Sequence, residues 1–454
     1  MHSNSCASSC LASLVLTLAM ALAPSAAAAQ TYTDLHDFNC AAEGCTPYVP
    51  GLLAQGRDGN LYGTTQNGGT HGVGTVFKAS LAGVITTLYN FDTTTGSMPF
   101  SGVSLGSDGN LYGTTFAGGT FSNGTIFKIT PAGVFTVLHH FGSVSGDGRQ
   151  PYGPPIQAKD GSFYGVTGSG VTGSGSAYKI SSTGVFKLLN PSGFFSFAPL
   201  IQATDGNFYG TVEAPVPLVF KMTTAGKQTT LYGFDGTHGL RPFGPVVQGS
   251  DGNLYGTTYD GGASNLGVVF KLTLKGVITV LVNADATFGH LYPGLVAATD
   301  GNFYSATLSG GTASDGILFK MTPAGVPTVE SNFDGTHGLN PLETAMQDTN
   351  GKIYGLTNAG GSNGVGVFYR LDAGIPPFAK LALVSGKVGA TVGVFGQGFL
   401  AATGVTFGGT SAAFVKAGDG YLTATVPAGA KTGSVVVLMP SGNLTSSVVF
   451  KVTP

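Results

Sequence analysis

Two pairs of residues in the sequence combine a carboxylate with an imidazole at a spacing of three residues. Asp235 and His238 lie in the segment FDGTHGLRP, and Asp334 and His337 lie in the segment FDGTHGLNP. An Asp beside a His is chemically credible as an acid/base pair. The sequence assigns neither a nucleophile nor a further metal ligand to either pair. The alternative is that these short polar side chains order their own loops, as Asp often does by hydrogen-bonding to nearby backbone.

Other matches to catalytic motifs fail on their context. Residues 168–173, GSGVTG, fit the dinucleotide-binding glycine pattern, but no helix is expected to follow them. Residues 102–106, GVSLG, fit a nucleophile-elbow pattern without the strand, turn and helix that it requires. A glycosidase needs two positioned carboxylates, and the few Glu residues form no obvious pair. We therefore assign no catalytic residue and expect neither a cofactor nor a metal.

The composition indicates an all-β protein. Of 454 residues, 74 are Gly and 23 are Pro, which suits many short strands joined by tight turns rather than helices. Hydrophobic residues make up 42% of the chain and the mean hydropathy is +0.24, so a disordered chain is not expected. Charged residues make up only 9%, the net charge is −2 and no run of like charge occurs. This pattern excludes a charged surface patch that would bind nucleic acid or a membrane electrostatically.

A repeated unit must position the candidate residues. The core DGNLYGTT begins at Asp58 and returns, with variations, six more times. The copies begin at Asp108, Asp160, Asp205, Asp251, Asp300 and Asn350. The mean period is about 49 residues, within the range of propeller blades. Each unit predicts four strands, A to D, which is the pattern of one blade. The sequence therefore predicts a seven-bladed β-propeller over residues 30–374.

The two ends of the array predict how the ring closes. The seventh unit supplies no strand D, and a spare D-like strand, TYTDLHDF, occupies residues 31–38. This strand can complete the last blade and remove the exposed sheet edges. The recurring Asp and Tyr of the core are interpreted as turn and inter-blade packing residues, with calcium ligands and a stacking platform as the alternatives.

Function is expected where the blades differ. The D–A and B–C loops are long and variable and emerge on one face of a propeller, so this variable face is the candidate binding surface. The residues predicted to bind there are His71, Asp235, His238, Arg241, Asp334 and His337.

The repeat resembles that of the bacterial GloVer family. The shared motifs are the core DGNLYGTT, the double glycine and the VFK strand, which recur in order over about residues 31–374. The double glycine is lost in the third and fourth units. The resemblance implies export and a repeat fold, in a family of extracellular proteins with differing C-terminal anchoring segments. It supplies no activity and no catalytic residues.

The tail, residues 375–454, looks like an IPT/TIG immunoglobulin-like domain. The matching motifs are the turn GQGF at residues 396–399, the hairpin FGG at 407–409 and the segment VPAG at 426–429. The resemblance implies a spacer or interaction module. Alternating short strands over about 80 residues also fit a β-sandwich.

Residues 1–29 predict a secretory signal peptide. They contain no Asp, Glu, Lys or Arg, and an apolar stretch is followed by small residues. No membrane span is expected after cleavage, and we expect a secreted or cell-surface monomer. The mature chain then keeps two cysteines, Cys40 and Cys45, for which a local disulfide is predicted.

The sequence leaves three functions open. The first is a secreted, non-catalytic protein that binds a polysaccharide or a cell-surface protein, and not nucleic acid. The second is an extracellular carbohydrate-active hydrolase or lyase, and the third is a structural cell-envelope protein. Clustered Asp, Glu, His, Tyr and Arg on the variable face would favour the enzyme, a broad aromatic patch would favour binding, and a flat apolar face would favour assembly.

Overall fold

The computed structural model describes residues 30–47, 52–100, 102–169, 175–191, 193–194 and 196–454. The predicted signal peptide lies outside the described residues, and so does most of the glycine pattern at residues 168–173. The described part of the chain is all-β, and its one helical element is a short 3-10 helix at Phe399–Ala401. In these same ranges, no helix is long and apolar enough to cross a membrane.

The repeats form seven four-stranded antiparallel sheets, called sheet 1 to sheet 7 in chain order. Strand β1 spans Thr31–Asp37. Sheets 1 to 3 contain β2 (Ala54–Gln55), β3 (Leu61–Thr65), β4 (Thr75–Ala79) and β5 (Ile85–Asn90), then β6 (Val103–Leu105), β7 (Leu111–Thr115), β8 (Thr125–Ile129) and β9 (Phe135–His140), then β10 (Ile156–Gln157), β11 (Phe163–Val166), β12 (Ala177–Ile180) and β13 (Phe186–Asn190). Sheets 4 and 5 contain β14 (Ile201–Gln202), β15 (Phe208–Val212), β16 (Leu218–Met222) and β17 (Gln228–Gly233), then β18 (Val247–Gln248), β19 (Leu254–Thr257), β20 (Val268–Leu272) and β21 (Ile278–Asn283). Sheet 6 contains β22 (Val296–Ala297), β23 (Phe303–Ala306), β24 (Ile317–Met321) and β25 (Pro327–Asn332), and sheet 7 contains β26 (Met346–Gln347), β27 (Ile353–Leu356), β28 (Val367–Asp372) and β1.

Burial differs between the strands of each sheet. In sheet 1 every residue of strand B, β3, is buried, whereas strand D, β5, contains only partly buried and exposed residues. The two middle strands B and C are buried along almost their whole length because neighbouring sheets cover both of their faces. Strand D lies at the outer edge. The strand order A to D predicted for each unit is the order in each sheet.

The repeated Asp orders the A–B turn. Asp58 accepts a hydrogen bond from the backbone N–H of Asn60 at 3.2 Å and another from the Tyr62 hydroxyl at 2.8 Å. Gly59 between them has a φ of 80°, which glycine adopts without strain. The same Tyr-to-Asp hydrogen bond recurs at Asp108, Asp160, Asp205, Asp251 and Asp300. These bonds support the turn interpretation of the repeated Asp.

The N-terminal strand joins the last sheet, as the sequence predicts. β1 pairs antiparallel with β28, with Thr31 opposite Asp372. The segment before strand A of sheet 1 also closes the row, because Leu52 forms parallel bridges with both Gly102 of sheet 2 and Thr344 of sheet 7. Sheet 1 therefore lies between sheets 2 and 7. The predicted disulfide is confirmed, and it joins Cys40 to Cys45 directly after β1.

The glycine of strand B is required by the packing of an aromatic ring from strand C. A Cβ atom at Gly113 would lie 2.3 Å from the end of the Phe127 ring, and one at Gly256 would lie 2.6 Å from Phe270. Both Phe rings are fully buried. Glycine at this position therefore lets the ring lie flat on strand B in the space between two sheets.

We predict that Gly113→Ala destabilises the chain by about 1–3 kcal/mol, because an added methyl group forces the buried Phe127 ring to move. Thermal unfolding of the full chain measures this. The matched control is Gly233→Ala, where no atom lies within 4 Å of the new Cβ. Equal melting temperatures for the two variants would contradict the packing argument.

The C-terminal residues form a separate core. Their strands are β29 (Lys380–Leu381), β30 (Ser385–Lys387), β31 (Thr391–Phe395), β32 (Gly404–Phe407), β33 (Thr410–Ala412), β34 (Phe414–Lys416), β35 (Tyr421–Thr425), β36 (Val435–Leu438), β37 (Leu444–Thr445) and β38 (Lys451–Thr453). The sheets β29-β31-β35-β34 and β33-β32-β36-β37 share one core that includes Val394, Phe407 and Val437, and β30 pairs parallel with β38. We call this part the C-terminal unit.

The C-terminal unit packs against the A–B turns of sheets 1 and 7. The backbone N–H of Phe378 donates to the Thr349 carbonyl at 2.9 Å, and Gln397 Nε2 donates to Asp348 Oδ1 at 3.0 Å. The Arg57 guanidinium lies over the Tyr421 ring at 4.5 Å. Because A–B turns and D–A loops lie at opposite ends of the strands, the C-terminal unit occupies the end opposite the variable loops.

Candidate ligand-binding face

The first predicted pair lies in the D–A loop between sheets 4 and 5. The His238 backbone N–H donates to Asp235 Oδ1 at 2.9 Å, and His238 Nδ1 lies 2.9 Å from Asp235 Oδ2. The hydrogen bond from the His238 backbone is the main cause that lowers the pKa of Asp235. Both side chains are exposed, and the pair closes a tight turn.

The second pair repeats this geometry between sheets 6 and 7. The His337 backbone N–H donates to Asp334 Oδ1 at 2.8 Å, and this bond lowers the pKa of Asp334 to about 2. The imidazole hydrogen bond to Asp334 in turn raises the pKa of His337. The Tyr32 hydroxyl of β1 donates to the His337 carbonyl at 2.7 Å. This loop therefore also holds the strand that closes sheet 7.

The predicted candidates belong to different loops. His71 is exposed in the B–C loop of sheet 1, where its Nδ1 lies 3.2 Å from Thr70 Oγ1. The two Asp–His pairs are two loops apart around the row of sheets. Within the described ranges, no hydrogen bond or ion pair joins one pair to the other or either pair to His71. Arg241, by contrast, contacts the aromatic rings of Tyr259 and Phe243 and the carboxylate of Asp260.

A set of aromatic residues lies where the D–A loops enter strands A. These residues, together with two from the ends of strands B, are named the aromatic arc: Phe100, Phe116, Tyr152, Phe197, Phe243, Tyr259 and Tyr292. Rings from successive sheets are in contact. The Phe100–Tyr152, Tyr152–Phe197, Phe197–Phe243 and Phe243–Tyr292 centroids are separated by 5.6, 4.2, 5.6 and 4.6 Å. These are contact distances for aromatic rings, so the D–A segments of sheets 2 to 6 lie close enough for their rings to touch.

Three rings of the arc, Phe100, Tyr152 and Phe243, directly follow a proline whose preceding residue has an uncommon backbone conformation. Met98, Gln150 and Arg241 each precede a Pro and have φ values of 53°, 57° and 52°. Such values are uncommon for residues other than glycine and are worth a functional explanation. The Arg241 carbonyl accepts from the Tyr259 backbone N–H at 3.0 Å, and the Met98 carbonyl accepts from that of Phe116 at 3.0 Å. These bonds fix the end of strand B beside the D–A loop that leads into the same sheet.

The arc ends in a polar cluster, defined as Glu213, Arg241, Asp260 and His290. Arg241 Nε and Nη2 both contact Asp260 Oδ2, and the guanidinium lies over the Tyr259 ring at 4.9 Å. His290 stacks on Tyr259 at 4.4 Å, and its Nδ1 lies 3.0 Å from the Tyr259 carbonyl oxygen. Burial raises the pKa of Glu213, while the Arg241 charge opposes this effect.

The sequence predicted a role for Arg241, which contacts the arc, but for none of the arc residues themselves. The arc residues are spread over five repeats, and three of these repeats contribute only one ring each. A usable signal was present, since PF or PY stands at the same place before strand A in sheets 2, 3 and 5. The sequence alone does not indicate that these rings contact one another, because the contacts arise only when neighbouring sheets pack together. Across the described ranges, no group of three or more His, Cys, Asp or Glu side chains is placed to hold a metal ion.

The chain is similar in fold to several solved structures. A streptogramin B lyase structure has 13% identity and a TM-score of 0.54, covering 76% of this chain and 97% of that one. Virginiamycin B lyase from Staphylococcus aureus has 14% identity and a TM-score of 0.53, covering 75% and 98%. A fungal alcohol oxidase of the AA5 family, in complex with copper, has 18% identity and a TM-score of 0.51, covering 92% and 100%. Identities this low show the fold alone, which is propeller-like.

The family follows from the repeat itself. No curated protein sequence matches the chain. The profile of the Gloeobacter/Verrucomicrobia repeat matches residues 22–178 and 150–369, which together span most of the chain. The same repeats form the seven sheets and carry the aromatic arc in their D–A segments and strand B ends. The chain therefore belongs to the Gloeobacter/Verrucomicrobia repeat family.

Proposed function

We propose that this chain is a secreted, non-catalytic protein that binds an extracellular polysaccharide. In this proposal residues 1–29 are a signal peptide, residues 30–374 form a closed seven-bladed β-propeller, and residues 375–454 form an immunoglobulin-like sandwich of the IPT/TIG type. The seven four-stranded sheets and the insertion of β1 into sheet 7 support the closed ring. The disulfide and the bacterial repeat family support export.

The aromatic arc is the observation that carries the binding function. Six of its seven rings are only partly buried, and contacts between rings run from sheet 2 to sheet 6. Such an array offers partly exposed apolar ring surface beside polar groups, a combination with which binding sites orient a ligand. The C–H face of a sugar ring packs on an aromatic face, and a row of rings suits a chain of sugars. The C-terminal unit, at the opposite end, leaves the arc to the ligand.

The six residues predicted from the sequence have two roles in this proposal. Arg241 contacts the arc directly through Tyr259 and Phe243. The Asp235–His238 pair orders the loop that leads to Phe243, and the Asp334–His337 pair orders the loop that leads to sheet 7. These pairs and His71 form the rim of the face. The protein acts as a monomer in this account.

A glycan-array screen of the mature chain tests the proposal. We predict that array binding by the parent chain falls at least tenfold in the variant Phe243→Ala/Tyr292→Ala, because each buried aromatic contact is worth more than about 1 kcal/mol. The control is Val277→Ala, at an exposed residue of the C–D turn at the other end of sheet 5. Circular dichroism verifies that both variants fold. The absence of any glycan binding, or equal binding by the arc variant, would contradict the proposal.

The polar cluster favours a second candidate, an extracellular carbohydrate-active hydrolase or lyase. Glu213 carries a carboxyl whose pKa burial raises, and His290 lies beside Tyr259. A carboxyl of raised pKa can serve as a general acid. Release of reducing ends or of unsaturated sugars from an array hit, lost in Glu213→Gln, would establish this activity. Binding without turnover supports the non-catalytic function.

A further inference from the structure

The B–C connection of sheet 4 is shorter than that of the next sheet. It runs from Val212, the last residue of β15, to Leu218, the first of β16, and so contains residues 213–217. In sheet 5 the connection runs from Thr257 to Val268 and contains residues 258–267. Sheet 4 therefore lacks the glycine-rich loop present in sheet 5. Glu213 is the first residue of this short connection, and its carboxyl interacts electrostatically with Arg241 of the D–A loop that leads into sheet 5.

The positive charge beside Glu213 is already compensated. Arg241 directs Nε and Nη2 to Asp260, and its guanidinium lies 4.9 Å from the centre of the Tyr259 ring and 5.7 Å from that of Phe243. The polar cluster then holds two carboxylates and one guanidinium, whose formal charges sum to −1. An anionic sugar at this end of the arc would be repelled by the net negative charge of the cluster. The cluster has no cation left to pair with such a sugar, because Arg241 is already paired with Asp260.

Glu213 has acceptor capacity that the protein does not use. Among the described residues no hydrogen-bond donor contacts its carboxylate, although the side chain is partly buried. Both oxygens can accept hydrogen bonds, and a half-buried carboxylate gains more from a donor than an exposed one does. Sugar hydroxyl groups are such donors. The neighbouring Phe243 and Tyr292 rings stack on each other at 4.6 Å and 6°, and both stay partly exposed, so their uncovered sides and edges are the apolar surface available to the sugar ring.

We propose that the polar cluster and the adjoining rings Phe243 and Tyr292 form a subsite for a neutral, hydroxyl-bearing sugar, with Glu213 accepting hydrogen bonds from its hydroxyl groups. This inference rests on the proposed binding function and names the ligand class of one end of the arc. Arg241 is a positioning residue in this subsite, because it holds Tyr259 and Asp260 in place. A uronic or sulfated sugar is excluded from it by charge.

Titration of array hits with variants of Glu213 tests the subsite. For neutral glycans we expect Glu213→Ala to weaken binding at least tenfold and Glu213→Gln to weaken it about threefold, because the amide keeps one acceptor oxygen. The matched control is Asp92→Asn, which removes one negative charge from the D–A loop after sheet 1. We expect it to bind like the parent chain. Acidic glycans on the same array are expected to bind weakly to the parent and more tightly to Glu213→Gln.

The outcomes separate this inference from the proposed function. If neutral glycans bind Glu213→Ala as tightly as the parent while Phe243→Ala/Tyr292→Ala has lost them, the subsite is wrong and the arc stands. If the hits are acidic glycans whose affinity Glu213→Gln leaves unchanged, the assigned ligand class is wrong. If no glycan binds, or if the arc variant binds normally, the proposed function fails and this inference fails with it.

Discussion

Phe38→Ala is expected to lower the free energy of unfolding by about 3–5 kcal/mol, the usual cost of truncating a buried Phe. Phe38 follows β1 directly, has no exposed surface and packs against Phe77 of sheet 1 at 5.5 Å between ring centroids. It also shares a core with Tyr354 and Phe368 of sheet 7. This one ring therefore joins the last sheet to the first. Its removal leaves a cavity at the closure of the row.

Chemical denaturation of the full mature chain measures this effect. The matched control is Phe121→Ala, which removes the same ring from a B–C loop where it is 48% exposed, and we expect a change within about 0.5 kcal/mol. Deletion of residues 30–38 should have the larger consequence of exposing the edge of β28, which favours aggregation. A Phe38→Ala chain that unfolds at the same denaturant concentration as the control would contradict closure by β1.

The second large effect concerns the contact between the sheets and the C-terminal unit. Asp348 is fully buried beneath this unit, and burial raises its pKa to about 6 although Gln397, the Asn350 backbone N–H and the Lys380 charge all act in the opposite direction. The folded protein therefore holds this proton more tightly than the unfolded chain. Its contribution to stability is complete below pH 3.8, the ordinary pKa, and is lost as the pH rises through 6.

We predict that Asp348→Asn is more stable than the parent chain by about 1–3 kcal/mol at pH 8 and equally stable at pH 4. The amide still accepts the hydrogen bond from Gln397 and carries no charge to bury. Unfolding of both chains across this pH range isolates the effect, because the other buried carboxyls are common to both. Asp285→Asn, at an exposed carboxylate, is the control. If the difference in unfolding free energy between the parent and Asp348→Asn did not change with pH, the raised pKa of Asp348 would be contradicted.

The repeat explains why much of the fold could be predicted. Asp58, Gly59 and Tyr62 define a turn and a buried strand through contacts between residues close in sequence. The same motif, with variations, occurs in all seven repeats, so one local interpretation applies to each of them. The closing strand was predictable because residues 31–38 match strand D and the last unit lacks one. The disulfide between Cys40 and Cys45 follows from having two cysteines close together in the mature chain. These inferences need only short-range information.

The aromatic arc could not be predicted in the same way. The arc brings together Phe100, Tyr152 and Phe243 from three different repeats, and their contacts arise only from the packing of sheet against sheet. The contact of Asp348 with Gln397 likewise depends on where the C-terminal unit lies, which no local pattern specifies. The Asp235–His238 pair was recognised by its residue types. Its local turn geometry favours the loop-ordering alternative over an acid/base pair.

Hydrogen exchange of the mature chain, with and without its strongest array ligand, tests the central claim most directly. We predict slower exchange in peptides that carry the arc, around residues 98–100, 150–152, 241–243 and 290–292, and unchanged exchange in the A–B turn at residues 250–253. This result would locate the ligand on the variable face. Protection confined to the A–B turns or to the C-terminal unit, with none at the arc, would contradict the account.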